Sequence, residues 1–146
     1  MPENAKTILL VEDDPDHEAL TIRALRKANI VNDIRIARDG EEALQMLFGD
    51  GNGNSPVLPQ VILLDLKLPK IDGLEVLRRI REGERTSMLP VVILTSSDEE
   101  SDIVRSYRLG VNSYIRKPVN FTEFAEATRQ LGMYWLVLNE CPPTIN

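Results

Sequence analysis

The apolar residues of this chain fall into short unbroken runs, each followed by a polar turn and then by a stretch with apolar positions at helical spacing. Thr7-Ile-Leu-Leu-Val11 is the first run, and its β-branched and long aliphatic content is what a strand covered on both faces requires. It stops at Glu12-Asp13-Asp14-Pro15, where Asp14 reads as a helix N-cap with Pro15 at the first helical position. Ala19, Leu20, Ile22, Ala24 and Leu25 then recur along one helix face. Four more units repeat the scheme. Asp33-Ile-Arg-Ile-Ala37 alternates as a short strand, and Asp39, with Glu42 three residues on, opens a helix over Glu41 to Phe48. Val61-Ile-Leu-Leu64 leads to Asp65 and a helix from near Asp72 to Glu82. Val91-Val-Ile-Leu94 leads to Thr95-Ser-Ser-Asp98 and a helix that Gly110 ends. Ser113-Tyr-Ile-Arg116 leads to Lys117-Pro118 and a helix capped by Asn120, with Glu123 behind it.

Strands alternating with helices pair in parallel through right-handed crossovers, which predicts an α/β fold of three layers. Five such units predict a flavodoxin-like, doubly wound parallel sheet with strand order 2-1-3-4-5. One segment breaks the rhythm: Gly49-Asp-Gly-Asn-Gly-Asn-Ser-Pro56 reads as a surface insertion between the second helix and third strand. With 146 residues and no linker, residues 1–146 form one domain, with a core over about 6–130 and an extended C-terminal helix and tail over 131–146.

Composition narrows the class. The net charge of −6 argues against a nucleic-acid surface and suits a cation or a basic partner. No apolar run reaches the roughly 18 residues of a membrane span, and Met1-Pro-Glu-Asn-Ala-Lys6 lacks the apolar core of a signal peptide; a cytoplasmic location follows. Cys141 is the one cysteine, which excludes an internal disulfide and a cysteine-based zinc site.

In a doubly wound sheet all strands open their carboxyl ends on one edge, and ligands bind where the strand order reverses. The first strand delivers Glu12 and Asp13 to that edge, the third Asp65, the fourth Thr95 and the fifth Lys117. Three carboxylates crowded together repel one another unless a cation sits among them, and Mg²⁺ suits such oxygen ligands. Lys117 can pair with Asp65 when the site is empty and with a phosphoryl oxygen when it is filled. An Asp65 oxygen can then attack phosphorus to give an acyl phosphate, with Thr95 donating a hydrogen bond to the new group.

These segments resemble the response regulator receiver family. The matching residues are Val11-Glu-Asp-Asp-Pro15, Leu63-Leu-Asp-Leu-Lys-Leu-Pro-Lys-Ile-Asp-Gly73, Leu94-Thr-Ser-Ser97 and Tyr114-Ile-Arg-Lys-Pro118, within roughly residues 6 to 130. The resemblance implies that Asp65 is phosphorylated, that Asp13, Asp65 and the backbone carbonyl of Lys67 ligate Mg²⁺, and that Glu12 acts through water. Whether Asp13 or Asp14 is the direct ligand is left open, the alignment of Val11-Glu12 favouring Asp13. It further implies a Thr95–Tyr114 switch pair, a cis Lys117–Pro118 bond, and Lys67 and Ser97 beside the path of the water that hydrolyses the adduct. The insertion and the tail Met133-Tyr-Trp-Leu-Val-Leu-Asn-Glu-Cys-Pro-Pro143 look like the small response regulators paired with cyanobacterial phytochromes. That implies a light-sensing histidine kinase as phosphoryl donor.

Other positions take plainer readings. Asp72 and Glu75 form a capping box, and His17, in the first helix, lies at the surface. Phe121, Phe124, Ala125, Leu131, Trp135 and Leu138 can cover the sheet, which leaves Met133, Tyr134, Leu136 and Val137 on the other side of the last helix as a homodimer surface. The sequence therefore describes a phosphoacceptor switch rather than an enzyme, with at most slow self-dephosphorylation and output through protein contact. Two rivals are an aspartate-nucleophile phosphatase or phosphotransferase and a receiver-like binding module that never carries phosphate. The first normally needs an acid two residues after the nucleophile, where this chain has Lys67.

Overall fold

The computed structural model describes residues 7–49, 56–96, 99–117 and 121–132. The strands are β1 (Thr7–Val11), β2 (Asp33–Ala37), β3 (Val61–Leu64), β4 (Val91–Thr95) and β5 (Ser113–Arg116). The helices that follow them are α1 (Pro15–Lys27), α2 (Gly40–Phe48), α3 (Gly73–Glu82), α4 (Glu100–Arg108) and α5 (Phe121–Gly132). All pairings are parallel and the strand order is β2-β1-β3-β4-β5, the doubly wound arrangement expected from the alternation of elements. Among the described residues no helix is long and apolar enough to cross a membrane.

The unbroken apolar runs exist because the sheet is covered on both faces. Leu9, Val11, Ile62, Leu64, Val91 and Ile93 pack against Ala43, Leu44 and Leu47 of α2 and Leu74, Leu77 and Ile80 of α3. Their strand neighbours Ile8, Leu10, Val61, Leu63 and Val92 point the other way, onto Leu25 and Ile22 of α1. Each such fully buried aliphatic side chain contributes roughly 1.5–3 kcal/mol. Truncating one, as in Leu64→Ala, costs about 2–5 kcal/mol through lost transfer and the cavity left behind.

The helix starts follow from the acidic turns. Asp14 accepts from the backbone N–H groups of Asp16 and His17, Asp39 from that of Glu42, and Asp72 from that of Glu75. The capping box expected at Asp72 forms only in half, because the Glu75 carboxylate turns to Arg78 and Arg79 instead of back to the cap. Gly110 ends α4 at φ +89°, a left-handed conformation that glycine adopts freely.

Several expectations lie outside the described residues: the Lys117–Pro118 bond, Ser97, the Asn120 cap, most of the Gly/Asn insertion, and Met133 to Val137 with Trp135, Leu138 and Cys141. The side chains of Phe121, Phe124 and Leu131 also lie outside them. Ala125 is described, and it packs with Ala24, Leu94 and Ile115 where α5 lies beside α1.

Candidate functional site

Strand register decides which side chains meet at the carboxyl edge. Val11 pairs with Leu64, so Glu12 and Asp65 leave β1 and β3 side by side, at the point where the strand order reverses. Backbone bonds continue the ladder past the strands, from Glu12 N–H to Ala37 O at 2.9 Å and from Asp65 N–H to Val11 O at 3.1 Å. Leu64 pairs with Ile93, which brings Thr95 up beside Asp65 two residues later. Thr95 pairs with Arg116, and the Lys117 N–H donates to Thr95 O at 2.7 Å, so the lysine leaves β5 toward the same point. Gly73 permits the close turn after β3, since a Cβ there would lie 2.2 Å from the carbonyl oxygen of Asp65.

The side chains close on one another as this register demands. The Thr95 hydroxyl donates to Asp65 Oδ1 at 2.7 Å, and the Lys67 N–H donates to the same oxygen at 3.1 Å. Lys117 Nζ donates to Asp65 Oδ2 at 3.0 Å and to a Glu12 carboxylate oxygen. Glu12, Asp65 and Thr95 are buried. The other Glu12 oxygen accepts from Asp14 N–H at 3.2 Å.

Electrostatics divides the two buried acids. Desolvation dominates at Glu12 and pushes its carboxyl above the ordinary glutamate range, with Lys117 offsetting only part and the Asp65 charge adding to the rise. At Asp65 burial also works upward. There the charge of Lys117 and the donors Thr95, Lys117 and Lys67 outweigh it and hold the carboxyl below the ordinary aspartate range. Asp65 therefore keeps its charge at neutral pH.

Of the residues expected at the site, Glu12, Asp65, Thr95 and Lys117 come together. Asp13 is exposed at the rim and outside the tight group of ligand atoms formed by Glu12, His17 and Asp65. Asp14 caps α1, which leaves Asp13 as the neighbouring carboxylate not engaged by the helix start. Tyr114 is half-buried against the α2–α3 side of the core. The Lys67 side chain is exposed, with its ammonium 3.8 Å from Asp102 of α4. His17 lies at the surface as expected, its side chain 41% exposed, and its Nδ1 is in addition 3.0 Å from Lys117 Nζ. The signal available beforehand was its place in the first helical turn after the acidic cap.

The donor set fits a hard divalent cation. Two buried carboxylates face one ammonium, which leaves about one negative charge uncompensated before Asp13 is added. The carboxylate oxygens are the ligands Mg²⁺ and Mn²⁺ take. The ammonium already occupies the side of Asp65 that faces Glu12 and His17.

Fold and pocket together define a doubly wound α/β protein with a buried site of acids, amine and hydroxyl at the switch point of its sheet. The chain belongs to the response regulator receiver domain family, which it matches over residues 8–129. It is 42% identical over 141 residues to a probable methanogenesis regulatory protein, FilR2, of Methanothrix harundinacea, covering 96% of this chain and 90% of that protein. Among solved structures, the phosphorylated cyanobacterial phytochrome response regulator RcpA superposes with a TM-score of 0.87 at 37% identity, covering 94% of this chain and 99% of that one. The Mn²⁺-bound form of response regulator Rcp1, a protein of Synechocystis, has the same TM-score at 39% identity and the same coverage.

Proposed function

We propose that this chain is a two-component signalling switch in which Asp65 accepts a phosphoryl group. The observation that carries the reading is the convergence of the Thr95 hydroxyl, the Lys67 N–H and the Lys117 ammonium on the two oxygens of one ionised carboxylate, with the same ammonium also holding Glu12. The Asp65 oxygen attacks phosphorus, a P–O bond forms, and the P–N bond to the donor imidazole breaks with its electron pair returning to nitrogen. Lys117 then gives up Asp65 Oδ2 for a phosphoryl oxygen, and Thr95 turns its hydroxyl to another. Thr95 moving with Tyr114 carries the change to the face of α4, β5 and α5, where a protein target reads it.

Mg²⁺ is the ion of this reading, held by Asp13, Asp65 and the Lys67 carbonyl, with Glu12 acting through water. When bound it neutralises charge on the transferring group. The donor is the phosphohistidine of a sensor histidine kinase, of phytochrome type by analogy with RcpA, and the protein works in the cytoplasm. Met133, Tyr134, Leu136 and Val137 serve as a homodimer surface; sedimentation showing only monomer across a concentration series, with and without a phosphoryl analogue, rejects that part.

Incubation of the full chain with a small phosphodonor and Mg²⁺, read by intact mass, separates this reading from its rivals. One lasting phosphoryl adduct per chain supports the switch. Multiple turnover of the donor supports an aspartate-nucleophile phosphatase, and no adduct supports a binding module.

A further inference from the structure

The Lys117 ammonium has three N–H donors and meets three acceptors: a Glu12 carboxylate oxygen, Asp65 Oδ2 at 3.0 Å and His17 Nδ1 at 3.0 Å. An ammonium accepts nothing, so this contact requires the lone pair of Nδ1 to face the lysine, with the ring proton on Nε2. Local structure aims the ring. Asp14 accepts the His17 N–H at 3.4 Å and fixes the first turn of α1, and the Thr21 hydroxyl donates to His17 O at 2.8 Å. The imidazole stands 41% exposed between the pocket and solvent, while Lys117 is 6% exposed behind it.

Two of the three acceptors change their duties when the site works as proposed above. Asp65 becomes an acyl phosphate, and Glu12 shares its charge with a divalent cation. The imidazole keeps its lone pair throughout. Accepting through that lone pair, the ring fixes the ammonium without neutralising it and leaves the full positive charge for a phosphoryl oxygen. A third carboxylate would hold the lysine too, but would also deepen the negative charge of a buried pocket that already carries an excess.

We propose that His17 is a positioning residue whose Nδ1 holds the Lys117 ammonium over Asp65 and stays its anchor once Asp65 is phosphorylated. This rests on the phosphoacceptor reading of Asp65. It assigns a role in the reaction to a side chain that acts through Lys117, whose ammonium stands between it and the reacting carboxylate.

The test compares the wild-type chain with His17→Leu, which removes the acceptor at similar bulk, and with His17→Asn, whose Oδ1 sits where Nδ1 does. Phosphoryl uptake from a small phosphodonor with Mg²⁺ is followed by intact mass, the Lys117 ¹⁵Nζ–H resonance by NMR, and the melting temperature as a control. His17→Leu should slow uptake on the order of tenfold, below the loss from deleting a charge-stabilising donor outright. It should also broaden the Lys117 resonance without lowering the melting temperature, and His17→Asn should recover most of both signals. Uptake and resonance unchanged in His17→Leu overturn the proposal, as does His17→Asn failing as badly as His17→Leu. A wild-type chain that takes no phosphoryl group overturns the phosphoacceptor reading itself, and this proposal with it.

Discussion

Two clusters of charge on this molecule use the same chemistry and differ in where they sit. On α3, Arg78 bonds Glu75 and Glu82 while Arg79 bonds Glu75, so two cations meet two anions at the surface. At the carboxyl edge, among the described residues, Lys117 is the one cation that pairs with both Glu12 and Asp65. Side-chain exposure is 44% for Arg78 and 62% for Glu82, against 6% for Lys117 and 2% for Glu12. Balanced charges in water change little when one is lost, since screening and side-chain entropy offset the attraction. An unbalanced cluster out of water must find a proton or a cation, and that need is what makes the edge a site.

Mutations that remove one charge from each cluster test the contrast. The largest effect belongs to Asp65→Asn, which should abolish the phosphoryl adduct in intact-mass spectra while leaving the circular dichroism spectrum native. Lys117→Ala should come next. It leaves two buried carboxylates without a counter-ion and should lower stability at neutral pH by about 3 kcal/mol in urea denaturation. Mg²⁺ should restore part of that loss, and the same denaturation series run with the metal checks it.

Glu12→Gln should act in the opposite direction. A carboxyl whose folded pKa is raised disfavours folding once ionised, so its penalty is absent below the unfolded pKa and complete above the folded one. Removing the charge should therefore raise stability at neutral pH, as read by urea denaturation. The same shift makes Mg²⁺ compete with a proton. Calorimetric Mg²⁺ affinity should fall as pH drops through the raised Glu12 value, a window above the ordinary glutamate range, and that dependence should vanish in Glu12→Gln.

Smaller still is Lys67→Ala. Because the Lys67 side chain points to Asp102 while its N–H holds Asp65 Oδ1, the variant should change the lifetime of the adduct more than its rate of formation. Equal changes in both rates would count against a place beside the hydrolytic water. The smallest effect is at the exposed cluster. Arg78 and Arg79 hold the Glu75 carboxyl down at about 2, yet Glu75→Gln should leave phosphoryl uptake untouched and the melting temperature barely moved.

The difference between the clusters also explains what could be read beforehand. Val11, Leu64 and Leu94 end runs whose burial on both faces is written as unbroken hydrophobicity, so the residues that follow them could be placed on one edge from the sequence, while Arg116 ends a shorter strand that is only half-buried. Asp14 and Asp72 were legible as caps because capping is local. His17 was not. Its ring direction depends on how α1 docks beside β1 and β5, which no local spacing encodes. The split of Glu75 between cap and ion pair escaped for a related reason, since flexible surface arginines compete for the same carboxylate.

The most direct test of the account is to trap the adduct chemically. Borohydride reduction of the phosphodonor-treated chain converts an acyl phosphate on aspartate to homoserine, and peptide mass spectrometry locates it. Homoserine is expected at position 65 alone. Homoserine at another acidic residue, or none in a chain that carries the phosphoryl mass, would contradict it.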